Sequence, residues 1–222
     1  MSLAKIMTAV VLSTAATFSV AQVSETQAAK NLIKLLDQTQ SMSAKFTQTT
    51  KTPTPQVTLN EGKVPMFSSK AQPMSGQMWV KRPNLFRWET KKPAEQLIVA
   101  QKDQLYIYDP DLMQVTVQSI DEQVAQTPAL LLSGDASSIL KNYNVSASSR
   151  VKQGFILKPK SQNASFEAMG VVFSKNQLKS MVLKDALGQI TTIKFDNIKA
   201  NQVISPALFA FKPPADADVI YQ

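Results

Sequence analysis

The chain has 222 residues, with 24 Lys and Arg against 16 Asp and Glu and a formal charge of +8. It contains no cysteine and no histidine, which excludes a thiol nucleophile, a disulfide, a Cys- or His-ligated zinc and a Ser-His-Asp triad. At 44% hydrophobic it can bury a core, and its length suits one domain of barrel or sandwich size.

Residues 1–21 read as a cleaved secretory signal. Lys5 supplies the positive start, residues 6–18 are mostly small and apolar, and Ser19, Val20 and Ala21 make the small-x-small pattern before a cut. The run is shorter than the ~20 apolar residues that span a bilayer. The expected product is one exported, soluble domain over residues 22–222. Residues 22–40 read as an amphipathic helix. Ser24 and Gln27 resemble a capping box, and Leu32, Leu35 and Leu36 recur at helical spacing beside Ile33.

From Ala44 the period falls to two, with Phe46 as the apolar anchor of a strand. Pro53, Pro55, Pro65 and Pro73 punctuate residues 51–73, which read as a long loop with room for a short strand near Val57 or Met66. Strand-like runs follow at 76–82, 85–89, 96–101, 104–108 and 114–118. A second series falls at 143–148, 154–159, 165–174, 178–184 and 189–197. Residues 208–212 would close the set at about ten or eleven antiparallel strands. Between the two series, Thr127 and Pro128 open a short helix that Gly134 stops, and Asp135 caps a second through Ile139 and Leu140. Helices on one side of such a sheet make an α+β layer, and if the sheet curls they cover the hollow of a half barrel.

Charge is segregated along the chain. Residues 45–92 hold nine Lys and Arg against two acids, residues 93–140 one against seven, and residues 141–222 eleven against five. Such blocks either guide docking to a charged partner or are plain solvated faces. Asp109 and Asp111 flank Pro110. Paired carboxylates can do acid/base work, but adjacent turn residues more often only make the turn.

Residues 78–88, Met-Trp-Val-Lys-Arg-Pro-Asn-Leu-Phe-Arg-Trp, resemble the signature of the LolA family of periplasmic lipoprotein carriers. Three further features agree with it: the aromatic run Leu105, Tyr106, Ile107, Tyr108 ending in Asp109-Pro110, the C-terminal Phe209-x-Phe211-x-Pro213-Pro214, and the leucine-bearing helix before Ala44, Lys45 and Phe46. The resemblance implies an α+β fold: an incomplete, unclosed antiparallel β-barrel of about eleven strands with an α-helical lid over a hydrophobic cavity. It implies a monomeric, non-enzymatic periplasmic carrier that needs no cofactor and no metal. Such a carrier takes acylated lipoproteins released by the inner-membrane ABC transporter LolCDE and delivers them to the outer-membrane acceptor LolB.

The resemblance also implies roles for single residues. Arg82 matches the arginine that latches the lid by hydrogen bonds, Leu36 the functional leucine of the first helix, and Phe86 the phenylalanine that handles cargo and its transfer. Strand parity puts Met78 and Val80 on the face of Arg82. Trp88, Phe46, Leu130, Leu131, Ile139 and Leu140 complete the expected apolar lining. The loop at 50–73 is longer and richer in proline than the family's usual one. An envelope-stress sensor with the same half barrel is the alternative reading, although such regulators usually carry a second domain. Nucleic-acid binding, suggested by the basic balance, fits poorly with an export signal.

Overall fold

The computed structural model describes residues 19–59, 62–68, 72–101, 103–120, 128–162 and 164–222, without the side chains of 19–26, 54–59, 62–68 and 128–130. The expected signal lies outside the described residues up to position 18. Its last three residues are already helical, because α1 runs Ser19–Asp37. Ser24 therefore sits inside the helix and not at its cap. Ala28, Ala29, Leu32, Leu35 and Leu36 are buried on one face, and Gln27, Lys30, Asn31 and Lys34 are exposed on the other. The carboxyl end is closed by a residue far along the chain. The Asn201 side chain donates to the Gln38 carbonyl at 2.8 Å and accepts from the Gln40 amide at 2.8 Å, supplying partners that a helix end lacks.

Among the described residues thirteen strands make the sheet, seven before the short helices and six after them. They are β1 Ser41–Leu59, β2 Gly62–Ser68, β3 Met74–Lys81, β4 Leu85–Lys92, β5 Gln96–Gln101, β6 Gln104–Asp109, β7 Gln114–Ser119, β8 Tyr143–Ala147, β9 Gly154–Pro159, β10 Phe166–Ser174 and β11 Gln177–Asp185. β12 Ile190–Ala200 and β13 Asp218–Tyr221 complete the set. Helices α2 Pro128–Ser133 and α3 Ser138–Asn142 lie between β7 and β8. Neighbours in the sheet run β13-β7-β6-β5-β4-β3-β1-β12-β11-β10-β9-β8, with β2 off this path on β1. The two edges, β13 and β8, are not paired to each other, so the barrel is unclosed.

Two expectations need correction. Residues 51–73 are not mainly loop. β1 continues past its last pairing with β12, at Lys51, and folds back on β2 from Thr52 opposite Ser68 to Leu59 opposite Gly62. Prolines are tolerated because this ribbon stands outside the main ladder, and the register shifts between Thr54 and Val57, where Pro55 falls. Residues 208–212 form no strand. Pro206–Phe209 is a 3-10 turn capped by the Ser205 hydroxyl, and the last strand is β13, parallel to β7.

The main core lies on the concave face. Met42, Ala44 and Phe46 of β1, Met78 and Val80 of β3, and Phe86 of β4 alternate inward and are buried, as a period of two requires. α1 packs on β8 and α3, while α2 packs on β3 and β4. The C-terminal segment crosses the opposite face. Its 3-10 turn packs on β4 and β5, Phe209 is buried, and so are Val99, Val115 and Val117, which point away from the concave side. Phe211 packs on the rings of Tyr106 and Tyr108, at 5.6 and 5.9 Å. Lys81 and Arg87 donate to the carbonyls of Ile204 and Leu208, at 3.0 and 3.3 Å. The Phe-x-Phe motif is thus a clasp that fixes the outside of the sheet and leaves the inside free.

Gly76 marks a close approach inside the barrel. A Cβ there would lie 1.8 Å from the Glu89 carbonyl oxygen and 2.8 Å from the Phe46 ring. The register between β3 and β4 shifts at this point, and Phe46 pairs across Gly76. Gly76→Ala is expected to cost about 2–3 kcal/mol, through backbone displacement and loss of the Phe46 position. The check is urea unfolding, with wild-type Trp emission expected to be perturbed in the native variant, since Trp88 stacks on Phe46.

Candidate functional site

The concave face encloses an apolar cavity of about 380 Å3. β4 contributes Phe86 and Trp88, and β5 and β6 contribute Ile98, Leu105 and Ile107. Met181, Ile193 and Phe195 of β11 and β12 form the facing wall, and Leu132 of α2 forms part of the roof. Among the described residues no charged side chain lines it. Trp88 stands among three rings. It stacks on Phe46 with centroids 3.7 Å apart, lies 6.1 Å from Phe86, and meets Phe195 edge-on at 6.5 Å.

Arg82 lies where β3 turns towards β4 and reaches beneath α2. Its guanidinium donates to the Gly134 carbonyl through Nη1 and to the Leu131 carbonyl through Nη2, the latter at 3.4 Å. These are acceptors that a short helix leaves over at its carboxyl end. Backbone bonds hold the same corner: the Arg82 amide donates to Gln40 and the Asn84 amide to Ser133, both at 2.9 Å. Arg82 shares a small apolar pocket with Leu36, Val80 and Leu132. Burial lowers its pKa from the ordinary arginine value, and the carboxylates of Asp37 and Asp135 work against that shift. The group stays a cation. Its Nε is buried and has no partner among the described residues.

Asp135 does not cap α3 directly. Its Oδ1 accepts from the Ser137 amide at 3.0 Å, and its carbonyl accepts from Ser138, so it builds the turn leading into that helix. The Ser137 hydroxyl and amide, in that order, hold its carboxyl below the usual carboxylate range.

The expected residues separate into groups. Phe86 and Trp88 line the cavity, while Leu36 and Val80 line the latch pocket. Met78, Phe46, Leu131 and Ile139 are buried in the surrounding core, and Leu131 also supplies a carbonyl to Arg82. Leu130 lies outside the residues whose side chains are described. Leu140 is a correction: it is 47% exposed, on the far side of α3 from buried Ile139, and only its carbonyl is engaged, by Lys160 at 2.7 Å. One helical position turns a side chain by about 100°, and on α3 that step carries Leu140 past the edge of the face that buries Ile139. Sequence reasoning missed Leu132, because three consecutive leucines carry no phase. It also missed Met181, Ile193 and Phe195, which belong to no motif and meet β4 only when the sheet curls. The Asp109 and Asp111 pair makes a turn, with Asp109 Oδ1 accepting from the amides of Asp111 and Leu112 at 3.1 and 3.2 Å.

A curled, unclosed sheet whose inner face keeps an uncharged apolar hollow, roofed by a short helix that a cation in the sheet ties down, defines the half-barrel class of hydrophobic-ligand proteins. Among the described residues there is no cluster able to hold a metal, and no helix long and apolar enough to cross a membrane. The chain belongs to the LolA family: the model of the outer membrane lipoprotein carrier protein LolA matches residues 37–212. It is 40% identical over 194 residues to an outer-membrane lipoprotein carrier protein of Azotobacter vinelandii, covering 87% of each chain. A namesake from Pseudomonas syringae pv. tomato is 37% identical over 213 residues, covering 95% of this chain and 97% of its own. A LolA superfamily protein of Nitrosomonas europaea, solved by crystallography, aligns at a TM-score of 0.47 and 12% identity, over 83% of this chain and 98% of its own. This is a family of carriers and not of enzymes.

Arg82→Leu removes both donors to the end of α2 and leaves two carbonyls to find water. Amide exchange in α2 and α3 is expected to rise roughly tenfold or more, as the loss of charged hydrogen bonds worth about 1.5 kcal/mol implies. Global stability is expected to change less, because the variant also relieves a buried cation. Native-state hydrogen exchange measures the first and chemical unfolding the second.

Proposed function

We propose that the protein is a periplasmic carrier that hides the acyl chains of lipoproteins in this cavity, after cleavage of residues 1–21. It receives them from an inner-membrane ABC transporter of the LolCDE type and gives them up to an outer-membrane acceptor of the LolB type. The observation that carries the reading is the uncharged hollow directly beneath a helix tied down by Arg82. Family membership supports the choice of cargo.

The energetics make the arrangement intelligible. Burying an acyl chain of roughly 15 methylenes gains about 12 kcal/mol, so an unaided crossing of water is negligible. The same gain would make a perfect shelter impossible to empty. A cavity of about 380 Å3 is near the small end of ordinary ligand sites, about 300–1,000 Å3, so several chains enter only if α2 lifts. Lifting α2 breaks the Arg82 bonds, and restoring them on release offsets part of the hydrocarbon's gain. The closed empty state therefore competes with cargo. Phe86 and Trp88 are the side chains the chains would meet first, with Leu36 and Val80 lining the space that opens behind the latch.

The mature protein incubated with spheroplasts that make acylated lipoproteins is expected to form a soluble one-to-one complex and then to pass its load to outer-membrane acceptor. Arg82→Leu is expected to accept cargo and deliver it poorly, since its closed state no longer competes. Chromatography and membrane partitioning of labelled lipoprotein read both steps. Absence of release from a transporter that works with another carrier would refute the reading, and normal delivery by Arg82→Leu would remove Arg82 from the mechanism.

A further inference from the structure

The cavity changes character along its length. On the concave face of β4, Phe86, Trp88 and Thr90 follow one another at alternate positions, leading away from the Arg82 corner. Sheet pairing carries each across to β5: Phe86 is level with Ala100, Trp88 with Ile98 and Thr90 with Gln96. The first two rungs are hydrocarbon and the third is polar. On its other side Thr90 pairs with Gly76, which faces Phe46 of β1, and Gln48 lies one inward-facing position further along β1, opposite Met74. Gln48, Thr90 and Gln96 all line the cavity.

This polar end holds a buried hydroxyl without a partner among the described residues. It belongs to Thr90, which is 2% exposed. The Gln48 amide donates to the sulfur of Met74 at 3.6 Å, a weak acceptor. A buried donor left unpaired opposes folding, and pure hydrocarbon cargo would not relieve it.

We infer that Gln48, Thr90 and Gln96 form a subsite for acyl ester carbonyls, which orients a diacylglyceryl group with its esters at this polar end and its chains towards Arg82. The inference rests on the carrier reading. An ester oxygen only accepts, and all three side chains donate. That the described residues of the lining include no charged side chain favours a neutral ester over a free carboxylate or phosphate, whose burial would need a cation. Thr90 is covered while the cavity is empty, and a ligand that parts the lining uncovers it.

The test uses the full mature chain and displacement of a bound naphthylamine dye. Dihexanoylglycerol is compared with dihexylglycerol, the ether that keeps the chains and lacks the carbonyls. Wild type is expected to prefer the ester by roughly fivefold, the ratio given by one net hydrogen bond of about 1 kcal/mol. Thr90→Val with Gln96→Met is expected to bind both lipids equally, and Thr90→Ser to keep the preference. Equal binding of ester and ether by wild type, or a preference that survives in the double variant, would overturn the subsite while leaving the carrier reading intact. Displacement by neither lipid would overturn the carrier reading itself. A diacylglyceryl-cysteine peptide binding more tightly than phosphatidylethanolamine of equal chain length would support lipoprotein as the source of the ester, and the reverse order would overturn that assignment.

Discussion

Arg82 donates from the sheet to the carbonyls of Leu131 and Gly134, and these two bonds join the sheet to the end of α2. In the carrier we propose, they set a compromise between holding and releasing. A guanidinium suits it because its planar fork reaches two carbonyls from one side chain, which an ammonium does poorly. Yet one bond is long, Nε is left without a partner among the described residues, and burial lowers the cation's pKa. Each of these weakens the closed state. On the proposed carrier reading, a stronger clasp would keep the hollow shut against cargo, and none would leave cargo unopposed.

The sheet is braced from several sides. β1 sits at the centre of the ladder, paired with β3 on one side and β12 on the other. The C-terminal segment braces the convex face through Phe209 and Phe211, with Lys81 and Arg87 bonded to its carbonyls. Asn201 ties the end of α1 to the same central region. By contrast α2 is a six-residue helix, and Arg82 bonds to its carboxyl end. A helix that short has little stability of its own, so its position follows what it packs on.

The hollow is partly self-filled. Phe46, Trp88 and Phe195 approach one another within it, and Leu132 reaches both the main cavity and the latch pocket. Large aromatic groups can swing without leaving apolar surroundings, so their displacement by hydrocarbon exchanges one set of dispersion contacts for another. Binding and emptying then differ by less than the full transfer energy of the cargo.

The strands from β3 to β12 were legible in the sequence, because alternation and turn residues act locally, and so were the helix at Pro128 and the inward parity of Met78 and Val80; Arg82 was singled out only by the family resemblance. The sequence alone misplaced the ends of α1, read the β1–β2 ribbon as a loop and put a strand where Phe209 makes a 3-10 turn, since prolines and capping patterns do not say what tertiary partner is at hand. Only the folded sheet decided that Met181, Ile193 and Phe195 line the same cavity as Phe86, that Leu132 rather than Leu140 roofs it, and that Gln48, Thr90 and Gln96 meet at one end of it. Those juxtapositions depend on register and curvature, which join residues far apart in the chain and leave no periodic trace within any one segment.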